Sequence, residues 1–148
     1  MNDLRELYQE VIFDHNRHPR NFGKLEDATH EADGYNPLCG DRLHLYLKLD
    51  TDNRVQRVTF EGDGCAISTA SASLMTEALQ GRSEPDARAL LQNVVAMATG
   101  TAVDADTVGK LSVLSGVQEF PARVKCATLA WHTLEAALDQ CNDAVTTE

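Results

Sequence analysis

The sequence predicts an α+β domain: a small antiparallel sheet of about three strands with helices packed on one face. Three observations carry this. Period-2 hydrophobic patterns cluster in the first half of the chain. Period-3.6 patterns stand before and after them. The 148 residues, 43% hydrophobic and 24% charged, have ordinary globular composition with room for one core. No internal repeat, low-complexity tract or linker interrupts the chain, so residues 1–148 read as a single domain.

The elements follow in order. Residues 3–16 read as a helix, because Leu4, Leu7, Tyr8, Val11, Ile12 and His15 fall at helical spacing. Asp3 with Glu6 suits a capping box, and Pro19 and Gly23 in "NRHPRNFG" stop the helix. Residues 24–38 are polar and irregular, with one short strand near Glu31–Tyr35. "RLHLYLKLD" alternates strictly, Leu43, Leu45, Leu47 and Leu49 against Arg42, His44, Tyr46 and Lys48. That is a half-buried antiparallel strand. The turn "TDN" leads into "RVQRVTFEG", where Val58 and Phe60 face inward, completing a hairpin.

"GDGCAISTASASLMTEALQG" then switches to helical period. Ile67, Ala70, Leu74, Ala78 and Leu79 share one face, and Gly81 caps the end. The next helix opens with Ser83 and Pro85 and runs to Gly100, burying Leu90, Leu91, Val94 and Val95. A short helix spans 105–115. The last begins near Pro121, with Val124, Ala127, Trp131, Leu134, Leu138 and Cys141 as its apolar stripe.

The net charge of −10 disfavours broad nucleic-acid binding, which needs a basic surface. Its remaining uses are solubility or steering toward a basic partner protein. No apolar run approaches the roughly 18 residues of a membrane span. The N-terminal "MNDLRELYQEV" is charged where a signal peptide is apolar, so the expected location is cytoplasmic.

Four cysteines stand at 39, 65, 126 and 141, without a CxxC pair. A cytoplasmic chain keeps thiols reduced, which favours metal binding or thiol chemistry over disulfides. Any metal ligands must therefore converge through the fold. Cys39 has polar and flexible neighbours, and Gly40 frees the backbone so that Cys39 and Asp41 can aim at one point. Thiolate and carboxylate together are recognisable zinc or iron ligands. Cys65 falls at a helix start, where N–H groups and the macrodipole favour the thiolate. The alternative is a small residue needed behind two glycines. Cys126 follows Arg123 and Lys125, one step off the apolar stripe, so it need not be core. Cys141 occupies a stripe position and reads as structural. His44 lies on the polar strand face, able to approach a metal but more readily solvent-facing.

"CGD" at 39–41, "GDGCAISTASASLM" around Cys65 and "FPARVKCATLAW" around Cys126 resemble the IscU/NifU N-terminal-like iron–sulfur assembly family. "VIFDHNRHPRNFG" adds to a resemblance with its SufU-type branch that runs from about residue 4 to residue 139. Lys125 stands where IscU-type members carry a histidine, and residues 82–115 resemble the helical insertion of the SufU branch. The resemblance implies an IscU/SufE-like fold and a zinc site of Cys39, Asp41, Cys65 and Cys126. It implies a sulfurtransferase in which Cys39 accepts persulfide sulfur from a SufS-type cysteine desulfurase and feeds downstream SUF assembly machinery. Two other readings stay open. The same ligands could carry an iron–sulfur cluster on a scaffold, or the zinc could stabilise a non-enzymatic interaction module.

Overall fold

The alternating stretch "RLHLYLKL" forms an inner strand of the sheet, paired on both sides. The computed structural model describes residues 2–37, 40–101, 108–140 and 145–146. A helix, α1 (Asn2–Arg17), precedes three strands, β1 (His30–Asn36), β2 (Asp41–Leu49) and β3 (Val55–Asp63). Then come α2 (Ala66–Leu79), α3 (Glu84–Ala98), a 3₁₀ stretch (Gly109–Glu119), α4 (Pro121–Leu138) and a two-residue strand, β4 (Val145–Thr146). The sheet order is β3-β2-β1-β4. The first three strands are antiparallel, and β4 runs parallel to β1. A strand as short as β4 carries no readable period, and the sequence did not announce it.

The α+β class and the three-stranded antiparallel sheet are as expected. Leu45 and Leu47 are fully buried on the face that α4 covers, and Val58 joins them from β3. Their burial, at about 1.5–3 kcal/mol per large apolar side chain, fastens helices to sheet. Gly34 lets α4 approach β1 closely, since a Cβ there would stand 2.1 Å from Thr133 Oγ1.

α2 departs from the expected one-sided stripe. Ser68, Ser71, Ser73, Thr76 and Leu79 are buried along with Ala70, Leu74 and Met75, whereas Ile67 and Ala78 are only partly buried. The physical reason is side-chain size. Serine and alanine let α1 and α4 close on α2 from other sides, and the hydroxyls find partners inside. Ser71 donates to the Ala127 carbonyl at 2.6 Å and accepts from Trp131 Nε1 at 3.1 Å. Ser73 Oγ lies 2.7 Å from His15 Nδ1, which explains why a histidine occupies the buried side of α1. Gly81, at φ +81°, turns the chain after α2 as expected.

The short helix expected over 105–115 is instead the 3₁₀ stretch, which begins at Gly109. Two glycines and two valines among its first nine residues weaken a regular α-helix. Residues 102–107 lie outside the described residues. α4 ends at Leu138, and Cys141 also lies outside the described residues.

Candidate metal centre

Three chain segments meet at one end of the sheet. β1 and β2 pair with Asn36 opposite Asp41, so the connection between them is closed at its base. Gly40, at φ +74°, donates its N–H to the Asn36 carbonyl at 2.8 Å. Asp41 opens β2 with its side chain on the same face as the buried leucines, and it is fully buried. Strand β3 leaves the sheet through Gly62 and Gly64 and delivers Cys65 to the start of α2. Gly64 is close-packed, since a Cβ there would lie 2.9 Å from Asp41 Oδ1. The third segment is the first half of α4, which carries Cys126.

Cys65 is the N-cap of α2, and its sulfur accepts the Ser68 N–H at 3.4 Å. Its own N–H donates to Asp41 Oδ1 at 2.8 Å, and its thiol donates to Asp41 Oδ2 at 4.0 Å. The thiol of Cys126 donates to the Ala122 carbonyl at 3.5 Å. One ligand atom from each of Asp41, Cys65 and Cys126 lies within 4.8 Å of the others. Among the described residues this is the sole cluster of three or more such groups that could hold a metal ion.

Cys126 differs from its expected setting. It is 0% exposed, although its place one step off the apolar stripe suggested otherwise. α4 is covered on more than one side, by β1, α2 and α3, so its buried surface is wider than a single stripe. Cys39 lies outside the described residues, two positions before Asp41. Arg42 is exposed, with its guanidinium 5.4 Å from the centre of the Tyr35 ring. Arg123 is exposed and Lys125 half-buried.

His44 does not join the cluster. It hydrogen-bonds Asp33 through Nδ1 and Glu31 through Nε2, the latter at 2.8 Å. Burial pulls its pKa down, but the hydrogen bonds to Glu31 and Asp33 outweigh burial and hold it above the usual histidine value. A cleft of about 460 Å³ beside it is lined by Tyr35, Arg42, His44 and Glu61, and by none of the three clustered residues.

The donor set fits a thiophilic divalent cation. Two sulfurs and one carboxylate converge in a buried space, which suits zinc or a thiolate-bound iron centre. Asp41 adds a second reason. A fully buried carboxylate calls for a charge partner, and among the described residues no lysine or arginine pairs with it. One residue of the site was not singled out in the sequence. Asn36 is fully buried, and its Nδ2 stands 3.3 Å from Asp41 Oδ2 and 3.6 Å from Cys126 Sγ. It falls in the 24–38 stretch that reads as polar and irregular. The signal available was a polar residue at the end of a strand beside a cysteine loop.

The chain is similar to known proteins over most of its length. The NifU-like N terminal domain model matches residues 7–146. The chain is 46% identical over 135 residues to the zinc-dependent sulfurtransferase SufU of Bacillus subtilis, covering 90% of each protein. It is 39% identical over 145 residues to the iron–sulfur cluster assembly scaffold protein IscU of Streptococcus pyogenes serotype M1, covering 97% of this chain and 90% of that one. Its fold matches the crystal structure of a putative iron–sulfur cluster assembly scaffold protein for the SUF system from Fervidobacterium islandicum AW-1. There the TM-score is 0.84 at 37% identity, over 90% of this chain and 98% of the other.

Proposed function

The chain belongs to the NifU-like N-terminal domain family, and from that premise we propose that it is a zinc-dependent sulfur acceptor working with a SufS-type cysteine desulfurase in iron–sulfur cluster biogenesis. The single observation that carries this reading is the convergence of Asp41, Cys65 and Cys126. On this reading Cys39, which stands in sequence between the paired residues Asn36 and Asp41, is the fourth ligand, giving three thiolates and one carboxylate. Zinc bound there would hold its thiols deprotonated at neutral pH without redox chemistry of its own.

The chain's own residues do the rest. Cys39, whose sequence neighbours include Gly40, Asp41 and Arg42, is the acceptor. Its thiolate attacks the outer sulfur of the desulfurase persulfide, forming a new S–S bond as the donor S–S bond breaks. The donor cysteine leaves as thiolate, and the transferred sulfur remains on Cys39 as a persulfide. Cys65 and Cys126 are fixed by the start of α2 and the body of α4. On this reading the domain spans residues 1–148 and meets the desulfurase in the cytoplasm.

The test is desulfurase turnover and zinc content measured together. Wild-type protein should contain about one zinc and stimulate the desulfurase. Cys39→Ala should abolish stimulation, and Asp41→Ala should lower zinc content. Full stimulation by Cys39→Ala would rule out Cys39 as acceptor. A second reading has support of its own: the 39% identical relative from Streptococcus pyogenes is named a scaffold. On that reading the same ligands bind a cluster. Protein purified without air and carrying iron and sulfide instead of zinc would favour it. Lys125, standing where the IscU-type pattern has histidine, weighs toward the acceptor.

A further inference from the structure

We propose that Asn36 is a positioning residue that ties the Cys39 loop to the metal ligands and makes Cys126 the resident, weakly reactive sulfur of the site. The inference rests on the metal reading above. Its geometry is independent of it.

Asn36 stands where the site's parts meet. Its carbonyl accepts from Gly40, closing the loop that carries Cys39. Its side-chain amide nitrogen reaches Asp41 Oδ2 at 3.3 Å and Cys126 Sγ at 3.6 Å. An amide nitrogen has two hydrogens, so both contacts can be donated at once. The orientation follows from charge: the amide oxygen in that place would face a carboxylate and a thiolate, both acceptors. The residue is fully buried, so water does not compete for either bond. One residue therefore couples the loop base, through its backbone, to a ligand on β2 and a ligand on α4, through its side chain.

The bond to sulfur has a chemical consequence. A hydrogen bond to a thiolate draws electron density away from the metal–sulfur bond and makes the sulfur a poorer nucleophile. Cys65 also accepts an N–H bond, from Ser68 at 3.4 Å, so what separates the two is burial: Cys126 is fully buried and Cys65 is half-exposed at a helix start. The two described thiols are thus unequal. Cys126 is held by Asn36 in the buried part of the site, out of reach of an approaching sulfur donor.

Cobalt(II), which reports thiolate ligation through a sulfur-to-metal charge-transfer band, tests this without sulfur transfer. Asn36→Leu keeps the shape and deletes the donor; Asn36→Ala is the second variant. Both should lose cobalt affinity by about ten- to a hundredfold, the usual range when a partner of a metal ligand is removed. At saturation the band should move to lower energy, because the sulfur regains donor strength. A merely structural role would weaken binding without moving the band. In wild-type protein loaded with spin-active cadmium, the Asn36 side-chain protons should couple to the metal through the N–H···S bond, a measurement that needs no variant. A wild-type thiolate band with no such coupling, or one whose energy is unchanged in both variants whatever the affinity, overturns the inference alone. Wild-type protein that gives no thiolate band overturns the metal reading and this inference with it.

Discussion

His15 is 1% exposed on α1, bonded to Ser73 and 3.5 Å from Glu77. Burial lowers its pKa first, with Arg20 and Lys110 adding to the effect and Glu77 and Asp14 opposing it. The sign follows by linkage. The folded pKa lies below the unfolded value of about 6.5, so the unfolded chain binds more protons between them. The stability His15 contributes is complete above pH ~6.5 and falls as the pH drops toward the folded pKa. His44 works the other way. Its folded pKa is raised, so its contribution is complete below pH ~6.5 and is lost as the pH rises through the folded value. Melting curves on single variants separate the two. His15→Gln should flatten the loss of stability on acidification, and His44→Gln should flatten the loss on going alkaline. Variants with the wild-type pH slope would show that these histidines are not linked to folding.

At the scale of elements, the glycines that deliver the ligands are not equivalent. Gly62 has φ +148°, and a Cβ there would stand 2.0 Å from the Arg42 carbonyl oxygen. Gly40 has φ +74° with nothing within 4 Å of its built Cβ. Gly62→Ala must therefore move β3 away from β2 next to Asp41, at about 2–4 kcal/mol, more than the roughly 1–2 kcal/mol of left-handed strain alone at Gly40→Ala. Denaturant unfolding should show that order, and metal affinity should fall more for Gly62→Ala. Equal costs would mean that the ladder relaxes freely. Legibility in the sequence divides along the same lines. Alternation at Leu43–Leu49 and the caps around α2 were readable because they are local. Burial all around α2 was not, because serines and alanines have no apolar signature until three helices close on them. Cys126 looked free of the core for a related reason: a stripe predicts one buried face, and α4 has several packed neighbours. Asn36 was hidden because its partners, Asp41 and Cys126, are a strand pairing and 90 residues away.

The whole molecule has two sources of cohesion. One is the core around Leu45, Leu47, Leu74, Trp131 and Leu134, which is fully or almost fully buried and contains no ligand residue. The other is the site, where β2, the start of α2 and α4 meet through Asp41, Cys65 and Cys126. A metal held there binds the native chain and not a dispersed unfolded one, so it stabilises by mass action, about 4 kcal/mol when free zinc is a thousandfold above its dissociation constant. For a chain of this length a kilocalorie moves the melting temperature by roughly 2–4 °C, so removal should lower it by about 8–16 °C. Because the core does not depend on the site, the zinc-free protein should still unfold in one cooperative transition, only at lower temperature. Calorimetry on protein with zinc content verified before and after chelation checks both parts. A melting temperature unchanged by verified removal would place the ligands' contribution in the core rather than in the metal. A zinc-free chain with no transition at all would mean that the three segments depend on the ion to come together.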